Sequence, residues 1–164
     1  MDACIAVVPV EKISALGIML LKRGIPCSLE KPLGSSLTEI TALADAARES
    51  GIRHMVSVNR RFMPFLNRAM EWASEFGKVL YVRSVMSRHA RTEPEFLWTT
   101  AVHAVDTLRY LCGDVRSSII QRIGSGETTG PWFVIDLQFA SGASGRIDVL
   151  PTSGMLEESY ELIG

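Results

Sequence analysis

Three short runs that are apolar throughout, separated by two amphipathic segments, fill the first 58 residues. Residues 4–8 (Cys-Ile-Ala-Val-Val) make a continuous apolar strand stopped by Pro9. Residues 11–23 carry Ile13, Leu16, Leu20 and Leu21 at helical spacing, with Gly24 as the C-terminal stop. Residues 25–29 predict a second strand. Ser36-Leu37-Thr38-Glu39 has the form of a capping box, opening a helix that runs to Ser50 and stops at Gly51, and residues 55–58 predict a third strand. Strands apolar on both faces, alternating with helices, belong to a parallel sheet with covered faces.

That pattern carries a geometric consequence. Two right-handed crossovers progressing in one direction place both helices on the same face of the sheet. The other face is then bare. A preceding half, with further strands and opposite-face helices, is expected to be missing, either by truncation or because another chain supplies it.

After about Arg61 the pattern changes. Pro64 is placed as the first residue of a helix running to about Glu75 and ended by Gly77. Residues 78–88 alternate, with Leu80, Val82 and Ser84 on one side and Val79, Tyr81, Arg83 and Val85 on the other. A polar loop over residues 87–95 precedes a helix predicted over 99–111 and closed by Gly113. Residues 115–123, 132–139, 145–150 and 158–163 read as further strands, with Gly124-Ser125-Gly126 and Ser141-Gly142 as turns. The expected fold class is α/β followed by α+β. It comprises the C-terminal part of a Rossmann-like parallel sheet over residues 1–61 and an open, mainly antiparallel sheet domain over 62–164, which is itself expected to lack its closing element.

Composition removes several function classes. With 47% hydrophobic and 21% charged residues, the 164-residue chain is too apolar to be disordered. Its 17 Lys+Arg against 18 Asp+Glu give a formal charge of -1, without the basic excess of a general nucleic-acid binder. Residues 13–21 make only about half of a membrane span and are interrupted by Ser14 and Gly17, so no membrane partner is expected. The opening residues show no basic stretch followed by an apolar one, so a secretory signal is not expected from them. Cys4, Cys27 and Cys112 form no C-x-x-C pair, and this usage predicts a reduced, cytoplasmic setting.

In open parallel sheets, ligands bind beyond the carboxyl ends of the strands. Those ends carry Val8-Pro9-Val10, Glu30-Lys31-Pro32 and Asn59-Arg60-Arg61. Pro32 restrains the backbone of Lys31, and a restrained rim lysine suits a substrate hydroxyl or an anion. The plainer reading is a solvated lysine with surface arginines, and the residues alone favour it. On the predicted helix 99–111, Ala101, Ala104, Val105, Leu108, Leu111 and Cys112 share the core face. Thr99, His103, Asp106, Thr107 and Tyr110 share the opposite face. His103 and Asp106, three residues apart, can approach each other, and a histidine beside a carboxylate fits a general base. A solvent-facing polar stripe explains the same residues, and the residues alone favour that too. His54, His89 and His103 have no metal-ligand spacing, so no metal is expected. Gly124-Ser125-Gly126 is followed by another strand, which makes it a hairpin turn rather than a phosphate-binding fingerprint.

Taken in order, Ala6-Val7-Val8-Pro9, Leu29-Glu30-Lys31-Pro32-Leu33, Val58-Asn59-Arg60-Arg61-Phe62-Met63-Pro64 and Val102-His103-Ala104-Val105-Asp106 resemble the Gfo/Idh/MocA family of NAD(P)-dependent oxidoreductases. The resemblance covers the middle of a family member; the opening β-α-β unit with G-x-G-x-x-G has no counterpart here. It implies hydride transfer between NAD or NADP and a sugar, polyol or related hydroxyl compound, with Lys31, His103 and Asp106 as catalytic residues. It places Pro9, Glu30, Pro32, Asn59 and Arg60 near the dinucleotide. Thr99 and Tyr110 are the expected substrate contacts. It further implies a homo-oligomer formed through the antiparallel sheet, and Lys31 and His103 facing one crevice. Thr99 stands where many members carry the aspartate of D-x-x-x-H, and Ile13 stands where a histidine is usual. The first change motivates an alternative, a non-catalytic relative that binds a sugar or nucleotide or serves as an assembly partner.

Overall fold

The three apolar runs form strands β1 (Cys4–Ala6), β2 (Cys27–Leu29) and β3 (His54–Val56), parallel and in that spatial order. This is a computed structural model describing residues 1–93, 95–124 and 130–164. It divides into two compact units, Met1–Val58 and Asn59–Gly164.

In the first unit the strands are shorter than the apolar runs. Each keeps only the residues whose backbone groups pair, and Val7 beyond β1 is 73% exposed. Helices α1 (Val10–Lys22) and α2 (Leu37–Ser50) pack on each other, burying Ile13, Leu20, Leu21 and Leu43 with Ala6, Cys27 and Leu29. Gly17 permits the close approach: a Cβ there would lie 2.8 Å from a Leu29 methyl and 2.9 Å from a Leu43 methyl. The capping box forms with a shift. The Ser36 hydroxyl accepts the Glu39 N–H at 3.3 Å, while the Glu39 carboxylate takes the N–H of Ser35, one residue earlier than the usual partner. The opposite face of the sheet is bare, with Ile5 80% and Met55 47% exposed.

The second unit is a mixed five-stranded sheet with helices. Its elements are α3 (Pro64–Phe76), β4 (Tyr81–Ser87), α4 (Phe96–Thr99), α5 (Val102–Cys112), β5 (Val115–Ile123), β6 (Trp132–Phe139), β7 (Ser144–Leu150) and β8 (Glu157–Ile163). The spatial order is β5-β6-β7-β4-β8. Only the β4–β7 pair is parallel. The alternation read over residues 78–88 holds: Val82, Ser84 and Met86 are buried toward α5, and Tyr81, Arg83 and Val85 lie on the other face. Ala104, Leu108, Ile135, Leu137, Ile147 and Val149 complete that core.

Two expectations are corrected. The helix predicted over 99–111 is two helices, α4 and α5, separated at Thr100-Ala101. The polar stripe of that segment is also not solvent-facing throughout. His103 is 6% exposed and Thr107 wholly buried. The turn expected at Gly124-Ser125-Gly126 falls largely outside the described residues.

Candidate functional site

In the first unit the residues singled out at the strand ends lie where they were expected. Pro9 is the N-cap of α1 directly beyond β1, and Glu30-Lys31-Pro32 follows β2. The Lys31-Pro32 peptide is cis. The Lys31 ammonium lies 3.8 Å from the Glu30 carboxylate, and its side chain is only 20% exposed. A lysine held largely out of water beside one carboxylate keeps donors in a fixed place, as a hydroxyl-binding group requires.

The second unit opens on a four-residue 3-10 turn, Asn59–Phe62, and this turn organises a dense polar cluster. Arg60 meets Glu158 of β8 with a two-point pair, Nε to Oε1 at 2.7 Å and Nη2 to Oε2 at 2.8 Å. Its Nη1 donates to Asn59 Oδ1 at 2.9 Å. Arg88 Nη2 donates to the same Glu158 carboxylate at 3.2 Å, and the Tyr160 hydroxyl donates to Glu158 Oε1 at 2.9 Å. Three donors on one partly buried carboxylate, Arg60 foremost, hold its pKa down to about 2. Burial, with the Glu158 charge beside it, pushes the Tyr160 phenol up to about 12. Both groups therefore keep one protonation state over the ordinary working range of pH.

Arg61 points to the other element. Its Nε and Nη2 donate to the Asp106 carboxylate of α5 at 2.8 and 2.5 Å, and its guanidinium stacks over the Tyr110 ring 5.5 Å from the centroid. The Tyr110 hydroxyl donates to Asn67 Oδ1 at 3.3 Å. Asp106 is thus engaged by Arg61 through a planar, two-point clamp. The Thr99 hydroxyl donates to the Glu95 carbonyl at 2.9 Å.

Behind these groups lies a buried polar layer. The Thr107 hydroxyl donates to the His103 carbonyl at 2.8 Å. Ser84, the β4 residue paired in register with Tyr160, is fully buried, and its hydroxyl makes no hydrogen bond among the described residues. Asp106 and Tyr110 are therefore brought together through Arg61. Sequence reading missed Glu158, Tyr160 and Arg88. The available signal was the alternation in β8, which puts Glu158, Tyr160 and Leu162 on one face, but nothing local marks that face as polar and functional.

Comparison with known proteins gives a consistent class. No family model matches the chain. Nearly the whole chain nevertheless shares its fold with crystallised oxidoreductases and dehydrogenases. Among curated proteins it is similar to scyllo-inositol 2-dehydrogenase (NAD+) of Bacillus subtilis, 28% identical over 171 aligned residues that cover 93% of this chain and 49% of the relative. The fold is shared by a crystallised oxidoreductase of Agrobacterium radiobacter in complex with NAD+, L-tartaric acid and magnesium (TM-score 0.83, 20% identity, 100% of this chain and 54% of that one). A dehydrogenase of Chromobacterium violaceum shares it as well (TM-score 0.88, 23% identity, 99% and 51%). The chain spans about half the length of the curated relative it matches. Among the described residues, no helix is long and apolar enough to cross a membrane.

Proposed function

We propose that the chain belongs to an NAD(P)-dependent oxidoreductase that acts on a CH–OH group of a sugar or polyol. The observation that carries this reading is that motifs spread from Pro9 to Asp106 fall, in order, within one fold shared over almost the whole chain with NAD-linked proteins. The residues present fit one end of such a cofactor. The largely buried Lys31 ammonium at the carboxyl end of β2, with Pro9 beyond β1, suits ribose and amide groups. Pro9, Glu30, Pro32, Asn59 and Arg60 are the proposed cofactor-side residues. A bound nicotinamide dinucleotide supplies the hydride acceptor. This chain's own contribution is to hold and deprotonate the alcohol: Lys31 donates to the substrate hydroxyl, and the His103 imidazole takes its proton as the carbonyl forms. Asp106, fixed by Arg61, supports the α5 turn that carries His103, and Thr99 and Tyr110 contact the substrate.

The residue spans 1–61 and 62–164 are proposed as the dinucleotide-binding and substrate parts respectively. The open face of the five-stranded sheet, where Arg83 and Arg146 both donate to Asp148 and Ile119 and Ile123 are exposed, is proposed to pair with a second copy. The proposed setting is the cytoplasm, in keeping with three free cysteines.

The test uses a polypeptide restored to the relatives' length, titrated with NAD(H) and NADP(H) and assayed on a panel of polyols. Nucleotide binding with turnover lost in Lys31→Ala and His103→Ala is the expected result. An absence of nucleotide binding refutes the reading. Thr99 favours one second reading: its hydroxyl is committed to a backbone carbonyl and holds no charge, as in a non-catalytic relative that only binds. Ligand binding without turnover would select that reading.

A further inference from the structure

Arg60 divides its guanidinium nitrogens between two side chains. Nε and Nη2 form one edge of the fork and donate to Glu158 at 2.7 and 2.8 Å, while Nη1, the nitrogen left over, donates to Asn59 Oδ1 at 2.9 Å. The Glu158 end of this chain of contacts is anchored from several sides. Its Oε1 also accepts the Tyr160 hydroxyl at 2.9 Å, and its Oε2 also accepts Arg88 Nη2 at 3.2 Å, which occupies the acceptor sites a carboxylate offers. The Glu158 and Arg60 side chains are largely buried, whereas Asn59 is exposed. The held part of the arrangement is therefore inside, and its open end is Asn59.

A guanidinium can only donate, so the atom it meets on a carboxamide must be the oxygen. Arg60 thus dictates which way the Asn59 amide lies, with Oδ1 toward the guanidinium and the Nδ2 hydrogens turned from it. Asn59 is set as a donor. Without the two-point hold of Glu158 the fork loses its fixed direction, and nothing then keeps the carboxamide from turning over. We infer that Glu158 is a positioning residue: through Arg60 it fixes the Asn59 carboxamide so that its N–H bonds are presented to a ligand oxygen, a hydroxyl or a carbonyl. The inference rests on the proposed place of Asn59 on the cofactor side, where ribose hydroxyl and carboxamide oxygens are acceptors of this kind. The coupling from Glu158 to Asn59 is measurable in this chain by itself.

The test has two arms. In the 164-residue chain, heteronuclear relaxation of the Asn59 side-chain amide is compared in the parent, Glu158→Gln and Arg60→Lys. Glutamine offers one acceptor where the fork needs two, and lysine keeps the charge without the fork, so the proposal stays testable should either variant fold poorly. Both variants are expected to bring the order parameter of that amide below about 0.6, from a higher value in the parent. In the polypeptide restored to the relatives' length, affinity for NAD+ is measured for Asn59→Ala, Asn59→Asp, Glu158→Gln and the Glu158→Gln, Asn59→Ala double variant. Each single change to alanine or glutamine is expected to weaken binding about fivefold, the size of one hydrogen bond, and the double variant no further than either. Asn59→Asp, which still accepts from Arg60 but has no N–H to give, should bind no better than Asn59→Ala. Glu158→Gln with a lowered melting temperature but unaltered Asn59 relaxation and NAD+ affinity would make Glu158 merely structural and overturn the inference. Fully additive losses, or Asn59→Asp binding as tightly as the parent, would overturn it too. An absence of NAD+ binding by the restored parent would instead strike at the proposed function, and the relaxation arm would still decide whether Glu158 holds Asn59.

Discussion

Acidification should unfold the second unit by a route that Glu158 dominates. Its carboxyl titrates at about 2 in the folded chain, against an ordinary value of 4.5. A depressed folded pKa contributes stability that is fully present above the unfolded value and is lost as the pH falls toward the folded one. The window is therefore about pH 4.5 down to 2. Linkage across a gap of that size removes roughly 2 kcal/mol by pH 3 and roughly 3 kcal/mol by pH 2. The Glu158 side chain is only 19% exposed, so solvent screening takes little from this. All three tryptophans, Trp72, Trp98 and Trp132, lie in the second unit, and their fluorescence reports its unfolding selectively. Urea titrations at pH 7, 5, 4 and 3 should show the parent chain losing stability steeply below pH 4.5. Glu158→Gln should start lower at pH 7, since two guanidiniums lose their anion, but its slope below pH 4.5 should be shallower by roughly 2 kcal/mol over the interval to pH 3. Equal slopes in the two proteins would refute the argument, because the deficit would then not come from this carboxylate.

Two further outcomes rest on separate observations. Tyr160, pushed up to about 12 mainly by burial, should stay neutral well above the pH at which an ordinary phenol ionises. Absorbance titration to pH 11 should thus show one tyrosine withheld, and the withheld step should vanish in Tyr160→Phe; the stability held by this raised pKa is present below about pH 10 and lost as the pH climbs toward 12. Gly145→Ala should destabilise the second unit by about 1–3 kcal/mol, since a Cβ there falls 2.8 Å from the buried Phe139 ring and 3.0 Å from a Val82 methyl. A melting temperature equal to the parent's would show that the ring moves aside freely.

The division between what could be read from sequence and what could not follows the range of the interactions. The parallel order β1-β2-β3, the single covered face and the exposed Ile5 all follow from local apolar runs and the handedness of crossovers. Ser36 and Glu39 mark a helix start because capping is an interaction over three residues. Burial of His103 was not legible, because helical periodicity reports only the face a helix offers to its nearest apolar neighbours. Arg60 and Glu158 are 98 residues apart, and the identity of an arginine's carboxylate depends on strand order, which periodicity does not encode. The break between α4 and α5 was equally invisible, since Thr100 and Ala101 carry no glycine or proline signal.

The two adjacent arginines of the 3-10 turn also show why this segment differs from an ordinary charged loop. In a 3-10 turn successive side chains diverge by about 120°, so neighbours in sequence serve different partners. Arg60 reaches the sheet through Glu158, and Arg61 reaches the helix through Asp106. Each contact is bidentate, which sets direction as well as distance. The turn therefore ties β8 and α5 to one short stretch of backbone, and the second tie reaches the helical turn that holds His103 and Asp106. If the purpose of Arg61 were only charge compensation, lysine would serve as well there. The two-point geometry and the stacking over Tyr110 give a guanidinium a function that an ammonium cannot fill, and this places orientation of α5, rather than neutral charge, as what the pair contributes.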